Sequence, residues 1–201
     1  NNSTQNNGGG VYINGSTVQI NNSRLANNSS MAGGGLYFTG EDLSIQSSII
    51  DSNNTTSAGG GIYIWSGYTK IDNSVISNNG SQGGGGGIIH YSGDESLTII
   101  NTTITNNTVQ NASLNGGGFY STADTVNVIN SILWNNSPQQ ISATGELNLN
   151  INHSNIDGGS DGIYYHGGGA QVTLTYTDNV DSDPLFVDSD NGDNHLSDHS
   201  L

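Results

Sequence analysis

The 201-residue chain has no cysteine and two prolines, and against 17 acidic side chains it sets only two basic ones, Arg24 and Lys70. Without cysteine there is no disulfide framework and no thiol chemistry. Without a basic surface nothing neutralises phosphates, which excludes a nucleic-acid binder and disfavours anionic membrane surfaces. The formal net charge of −15 leaves a cation, a neutral glycan or another protein as partner classes. No stretch approaches the roughly 20 apolar residues of a membrane span. Hydrophobic residues make up 31% of the chain and charged residues only 9%. A disordered chain is also poor in apolar residues, but it is normally rich in charge. Helical 3.6-residue spacing is missing as well, because Gly and Asn interrupt every run that could become a helix.

Repetition fills the chain. The phrase Gly59-Gly60-Gly61-Ile62-Tyr63-Ile64 recurs at Gly8, Gly33, Gly85 and Gly116. A second phrase, Ile71-Asp72-Asn73-Ser74-Val75-Ile76-Ser77-Asn78-Asn79, aligns with copies starting at Ile20, Ile45, Ile99 and Val128, and with a worn copy at Ile151. The copies are stepped by 25, 26, 28, 29 and 23 residues. Such a period signals a repeat architecture in which no unit buries its own apolar face and stacking does. Two aliphatic columns result. One is Ile20, Ile45, Ile71, Ile99, Val128 and Ile151; the other is Val11, Leu36, Ile62, Ile88 and Phe119, continuing through Ile141, Ile163 and Leu185. The pattern predicts short strands joined by tight turns, in an all-β, single-stranded parallel β-helix (a solenoid) of about seven coils of 22 to 29 residues. The Asn column (Asn28, Asn53, Asn79, Asn107, Asn136) suits corners that need left-handed backbone and amides that hydrogen-bond along the axis. The repeats are expected to occupy 1–180, followed over 181–201 by an acidic terminal coil with an Asp-Pro-Leu-Phe motif. The chain opens in mid-repeat at Asn1-Asn2, which reads as a processed protein or a portion of a longer one.

Strand alternation sends one residue of each glycine phrase outward: Tyr12, Tyr37, Tyr63, Ile89, Tyr120 and Tyr164. This aromatic column either shields the sheet or offers a platform to sugar rings or a partner. The five tyrosines are therefore the candidate ligand-binding residues. For metal, the candidates are Asp181, Asp183, Asp188, Asp190 and Asp193, whose carboxylates among Asn and Gly suit Ca²⁺. Against that, Gly192 stands where an EF-type loop needs an oxygen ligand. The five histidines lack metal-ligand spacing, and His153 occupies the turn slot of Asn73 and Asn101. The glycine runs are not phosphate loops, since no Lys-Ser/Thr follows them and they recur in every coil.

The glycine phrase and the Ile-x-Asn-Ser-x-Ile-x-Asn-Asn phrase resemble secreted bacterial right-handed β-helix proteins of the pectate-lyase-like superfamily. They also resemble the repeats of chlamydial polymorphic outer-membrane proteins, although the Phe-x-x-Asn of those repeats is Ile76-Ser77-Asn78-Asn79 or Leu133-Trp134-Asn135-Asn136 here. The ending Asp183-Pro184-Leu185-Phe186-Val187-Asp188 resembles the last coil of large surface β-helix proteins. This resemblance implies that the parallel β-helix is right-handed, and an extracellular or cell-surface location. It also brings in polysaccharide lyases and hydrolases, yet Arg24 and Lys70 lie on different coils as bases, and the hydrolase Asn-Thr-Asp, Asp-Asp and Gly-His-Gly pattern is absent. The acidic pairs Glu41-Asp42 and Asp94-Glu95 read as solvated turns. The expectation is a non-enzymatic structural or adhesive module that binds glycans or stacks end to end into a filament. The alternative is a polysaccharide-degrading enzyme, with a carboxylate pair formed across coils.

Overall fold

The computed structural model describes residues 1–91, 94–111, 116–166, 171–189 and 192–197. Every coil contributes to the same stacked parallel sheets, so the chain is a parallel β-solenoid. The first sheet is the broadest. Its first three levels are single 11-residue strands, Val11–Asn21, Leu36–Gln46 and Ile62–Asp72, each carrying both aliphatic columns. From the fourth coil onward the level divides into pairs, beginning with Ile88–His90 and Ser96–Ile100 and ending with Ile163–His166 and Val172–Thr177. Short strands were expected throughout; the early levels instead run unbroken.

A second sheet stacks six three- or two-residue strands, from Arg24–Ala26 to Asn155–Ile156, and the bridge from Asn155 to Val180 extends it. The third sheet holds Ser29–Ser30, Asn54–Thr55, Gly80–Ser81 and Thr108–Val109. Among the described residues the first sheet has seven levels, the second six and the third four, which matches the expected number of coils closely.

Like sits on like in the core. Val11, Leu36, Ile62, Ile88, Phe119, Ile141 and Ile163 lie in register. The second column runs from Ile20 through Ile45, Ile71, Ile99, Val128 and Ile151 to Tyr176. Leu25, Ile50, Ile76, Ile104, Leu133 and Ile156 line up across the second sheet. Most of these side chains are fully buried, each contributing roughly 1.5–3 kcal/mol. Leu185 does not continue the first column. It is 39% exposed, has a φ of 53°, and precedes an antiparallel pair made by Phe186–Asp188 and Asp193–Leu196. The described residues of the acidic segment thus pair antiparallel with one another and do not add a further parallel coil. Asn106 ties it to the body by donating from Nδ2 to the carbonyl of Ser189 at 3.3 Å.

Two polar ladders hold the corners. Asn28, Asn53, Asn79, Asn107 and Asn136 each donate from Nδ2 to the next side-chain oxygen at 2.7 to 3.0 Å, ending on Gln140 Oε1. From Asn53 onward each amide also donates to a backbone carbonyl of the preceding coil's second-sheet strand, such as Asn79 to Ile50. Full satisfaction is what lets these amides be buried. The left-handed residue is the one before each ladder Asn: Asn27, Ser52, Asn78, Asn106 and Asn135, with φ of 53 to 57°. The two duties expected of one Asn are therefore divided between neighbours. At the other corner Ser48, Ser74, Thr102, Ser131 and Ser154 accept from the backbone N–H of the preceding coil's Ser or Thr. His153 is left-handed at φ 50°, like Asn73 and Asn101, and fills the turn slot expected for it.

Candidate functional site

The outer face of the glycine-phrase strands carries the aromatic column. Tyr12, Tyr37, Tyr63, Ile89, Tyr120, Ser142 and Tyr164 share one row of the register. Tyr12, Tyr37 and Tyr63 are stacked rings with centroids 5.2 and 4.8 Å apart and planes 7° and 10° from parallel. Parallel strands impose this spacing, about 4.8 Å between neighbours.

The row is not uniformly open. Tyr12 is 54% exposed and Tyr164 41%, but Tyr63 is only 8% exposed and Ile89 is fully buried. Ala32, Ala58, Tyr63 and Ile89 form a second apolar cluster on the outside of the sheet, with Tyr37 and Tyr120 packed against it. Burial raises the phenol pKa of Tyr63, and nearby Tyr91 and Tyr37 push the same way. The middle of the row is a covered layer.

Three rings absent from the expected set complete the column. Trp65 lies 6.4 Å from Tyr63 and nearly parallel to it, and is 55% exposed. Pairing jumps there: Phe38 faces Ile64 and Thr39 faces Ser66, so Trp65 is the extra residue of a bulge. Bulges re-aim a side chain, and this one leaves an indole on the surface. Tyr91 contacts Tyr63, Trp65 and Tyr120 at 5.7 to 6.1 Å. His166 meets Tyr120 and Tyr164 edge-on at 5.9 and 4.8 Å. The alternation Tyr63-Ile64-Trp65 was the one available sign of these additions.

The acidic candidates are not gathered into one centre. Asp181 accepts from Gly158 N–H at 3.1 Å, and Asp183 from Leu185 N–H at 2.9 Å. Asp193 faces Asp188 across the hairpin and accepts from the His195 backbone N–H, with Nδ1 at 2.6 Å. Those His195 hydrogen bonds hold its carboxyl below the usual range. Asp190 lies outside the described residues. Among the described residues no three His, Asp or Glu side chains converge as a metal site would require.

Both cations have fixed partners. Arg24 makes two 2.9 Å hydrogen bonds to Asp51, and Lys70 lies 3.2 Å from Asp72. Of the acidic residues, Asp124 and Glu146 line one depression of about 490 Å³ with Asn148 and Gln171. A helix long and apolar enough to cross a membrane is absent among the described residues.

The family model for the right-handed β-helix region matches residues 1–179. No curated protein and no solved structure matches the chain.

Proposed function

The chain belongs to the right-handed β-helix family, and we propose that it is a non-enzymatic extracellular module that binds glycans through its aromatic column. The observation that carries this reading is a continuous line of rings along the solenoid axis, open at Tyr12, Trp65, Tyr91 and Tyr164. A pyranose ring has an apolar C–H face that packs on an aromatic face, and Tyr12 at the end of the stack, Trp65, Tyr91 and Tyr164 are the rings with surface open to one. Large exposed aromatics in one patch mark interaction surfaces far more often than scattered ones do. The surface location is supported by the likeness of the repeats to secreted bacterial β-helix proteins.

The test is binding of the intact chain to an array of neutral oligosaccharides. Trp65→Ala and Tyr12→Ala, both at exposed positions, should each weaken binding about tenfold without moving the thermal midpoint. Retained affinity in both variants would remove the column from the binding surface.

A hydrolase or lyase is the second reading, favoured by Asp124 and Glu146 sharing one depression. Release of reducing ends that disappears in Asp124→Asn and Glu146→Gln would establish it, whereas binding without product leaves the module non-enzymatic.

A further inference from the structure

The column changes character at the fourth coil. Through Tyr63 its stacked tyrosines lie flat on one another, but the register then places Ile89 where a tyrosine stood, and Ser142 two coils later. Around these smaller residues the rings tilt. Tyr91 and Tyr120 meet at 59°, and Tyr120 and His166 at 67°. A depression of about 320 Å³ opens between them, lined by Gly84, Ile89, Tyr91, Tyr120, Thr144 and His166. That volume is at the small end of ligand-sized clefts, which run from about 300 to 1,000 Å³.

From this geometry we infer that the depression is a subsite for one uncharged hexopyranose unit, a refinement that rests on the glycan-binding reading above. Its wall supplies apolar contact: Tyr91 is 40% exposed and Ile89 forms a buried floor. Its polar side chains include Thr144 and His166. His166 Nε2 is buried without a hydrogen-bond partner, as is Ser142 Oγ on the neighbouring rung. Buried polar atoms are ordinarily paired, and a sugar hydroxyl reaching His166 would satisfy one of them. The tilted rings hold the faces of a pyranose where the flat stack of Tyr12, Tyr37 and Tyr63 offers only edges or an end.

Charge selects the sugar class. Arg24 and Lys70 are both absent from the lining, and the chain carries a net charge of −15. A uronate or sulfated sugar would meet repulsion there with no cation to offset it. The neutral hexoses remain.

The experiment is an NMR titration of the whole chain with methyl glucopyranoside, methyl galactopyranoside and methyl mannopyranoside, with methyl glucuronide as the charged control. At least one neutral glycoside should shift resonances of Tyr91, Tyr120 and His166 together. Tyr91→Ala and His166→Ala should weaken that binding at least tenfold, and Tyr91→Phe should keep it within about twofold. Thermal midpoints of the three variants report whether the fold persists, and the exposed Tyr91 pair decides the matter if His166→Ala unfolds. Glycosides that leave these three residues unmoved, or a glucuronide that binds as well as the neutral sugars, would overturn the subsite. If neutral oligosaccharides still bind through Trp65 and Tyr12 in that case, the general reading survives. If no glycan binds at all, both fall.

Discussion

His90 is a histidine in a position built for an aliphatic. The register places it beside Ile64 and Ser121, it is fully buried, and its Nε2 lies 3.1 Å from the Gly67 carbonyl oxygen, while Nδ1 has no partner. Burial lowers its pKa to about 4, a shift the Gly67 hydrogen bond opposes only in part. Above about pH 6.5 the imidazole is neutral in both the folded and the unfolded chain, and it contributes no pH dependence. Between about 6.5 and about 4 the unfolded chain takes up a proton that the folded one refuses, so stability falls as pH falls. Below about 4 both forms are protonated and the loss levels off. The full effect is about 3 kcal/mol. Urea unfolding of the wild type and of His90→Leu at pH 7 and pH 4 isolates it, because the carboxylates are common to both proteins. The stability gap should move by about 3 kcal/mol in favour of the leucine variant at pH 4. A gap that stays constant would mean that His90 is solvated.

At the scale of the coil, the glycine runs set how closely successive turns approach. The first glycine of each complete run needs left-handed backbone, as Gly59 does at φ 66°, and the third needs space. A Cβ on Gly61 would sit 2.6 Å from the Gly87 carbonyl oxygen and 3.0 Å from Asn79 Nδ2, between two levels that cannot part without breaking the amide ladder. Gly15 has open space around its Cβ position. Gly61→Ala should therefore cost about 3 kcal/mol, while Gly15→Ala should be neutral or slightly stabilising. Equal thermal midpoints for the two variants would refute the close-packed corner. These columns were legible because each coil repeats the same demand: Ile71 inward, Asn79 on the ladder, Gly61 at the contact. Legibility ended where a residue answers a neighbour rather than a period. Gln140 closes the amide ladder four residues beyond Asn136, and its type and spacing follow no column. Trp65 reaches the surface through a bulge that exists only in the pairing of two strands. Tyr63 matched the outward pattern, yet Ala32 and Ala58 from the preceding turns pack over it. Leu185 kept an even step with Ile163 but leaves the stack for the hairpin, whose antiparallel pairing no repeat announces.

For the molecule as a whole, charge separates stability from binding. The 17 carboxylates face two cations, and Arg24 and Lys70 are each already paired with an aspartate. Remaining carboxylates repel one another over the length of the solenoid, which holds together through apolar columns and neutral amide and hydroxyl ladders. Salt shortens the reach of that repulsion from about 30 Å at 0.01 M to about 8 Å at 0.15 M. The compact state gains most from the screening, because folding concentrates the charge. The thermal midpoint should accordingly rise as sodium chloride goes from about 0.01 M to about 0.15 M, and rise more slowly beyond it. Affinity for a neutral oligosaccharide should stay within about twofold over the same range, since stacking on Tyr12, Trp65 and Tyr91 involves no net charge on the ligand. An anionic glycan approaching the same surface would instead bind more tightly as salt screens the field. Calorimetric titration at the two salt concentrations, beside thermal melts in the same buffers, reads both quantities. A neutral-glycan affinity that changes with salt in step with the melting temperature would show that ligand binding follows the acidic field, and that the aromatic column is not what selects the sugar.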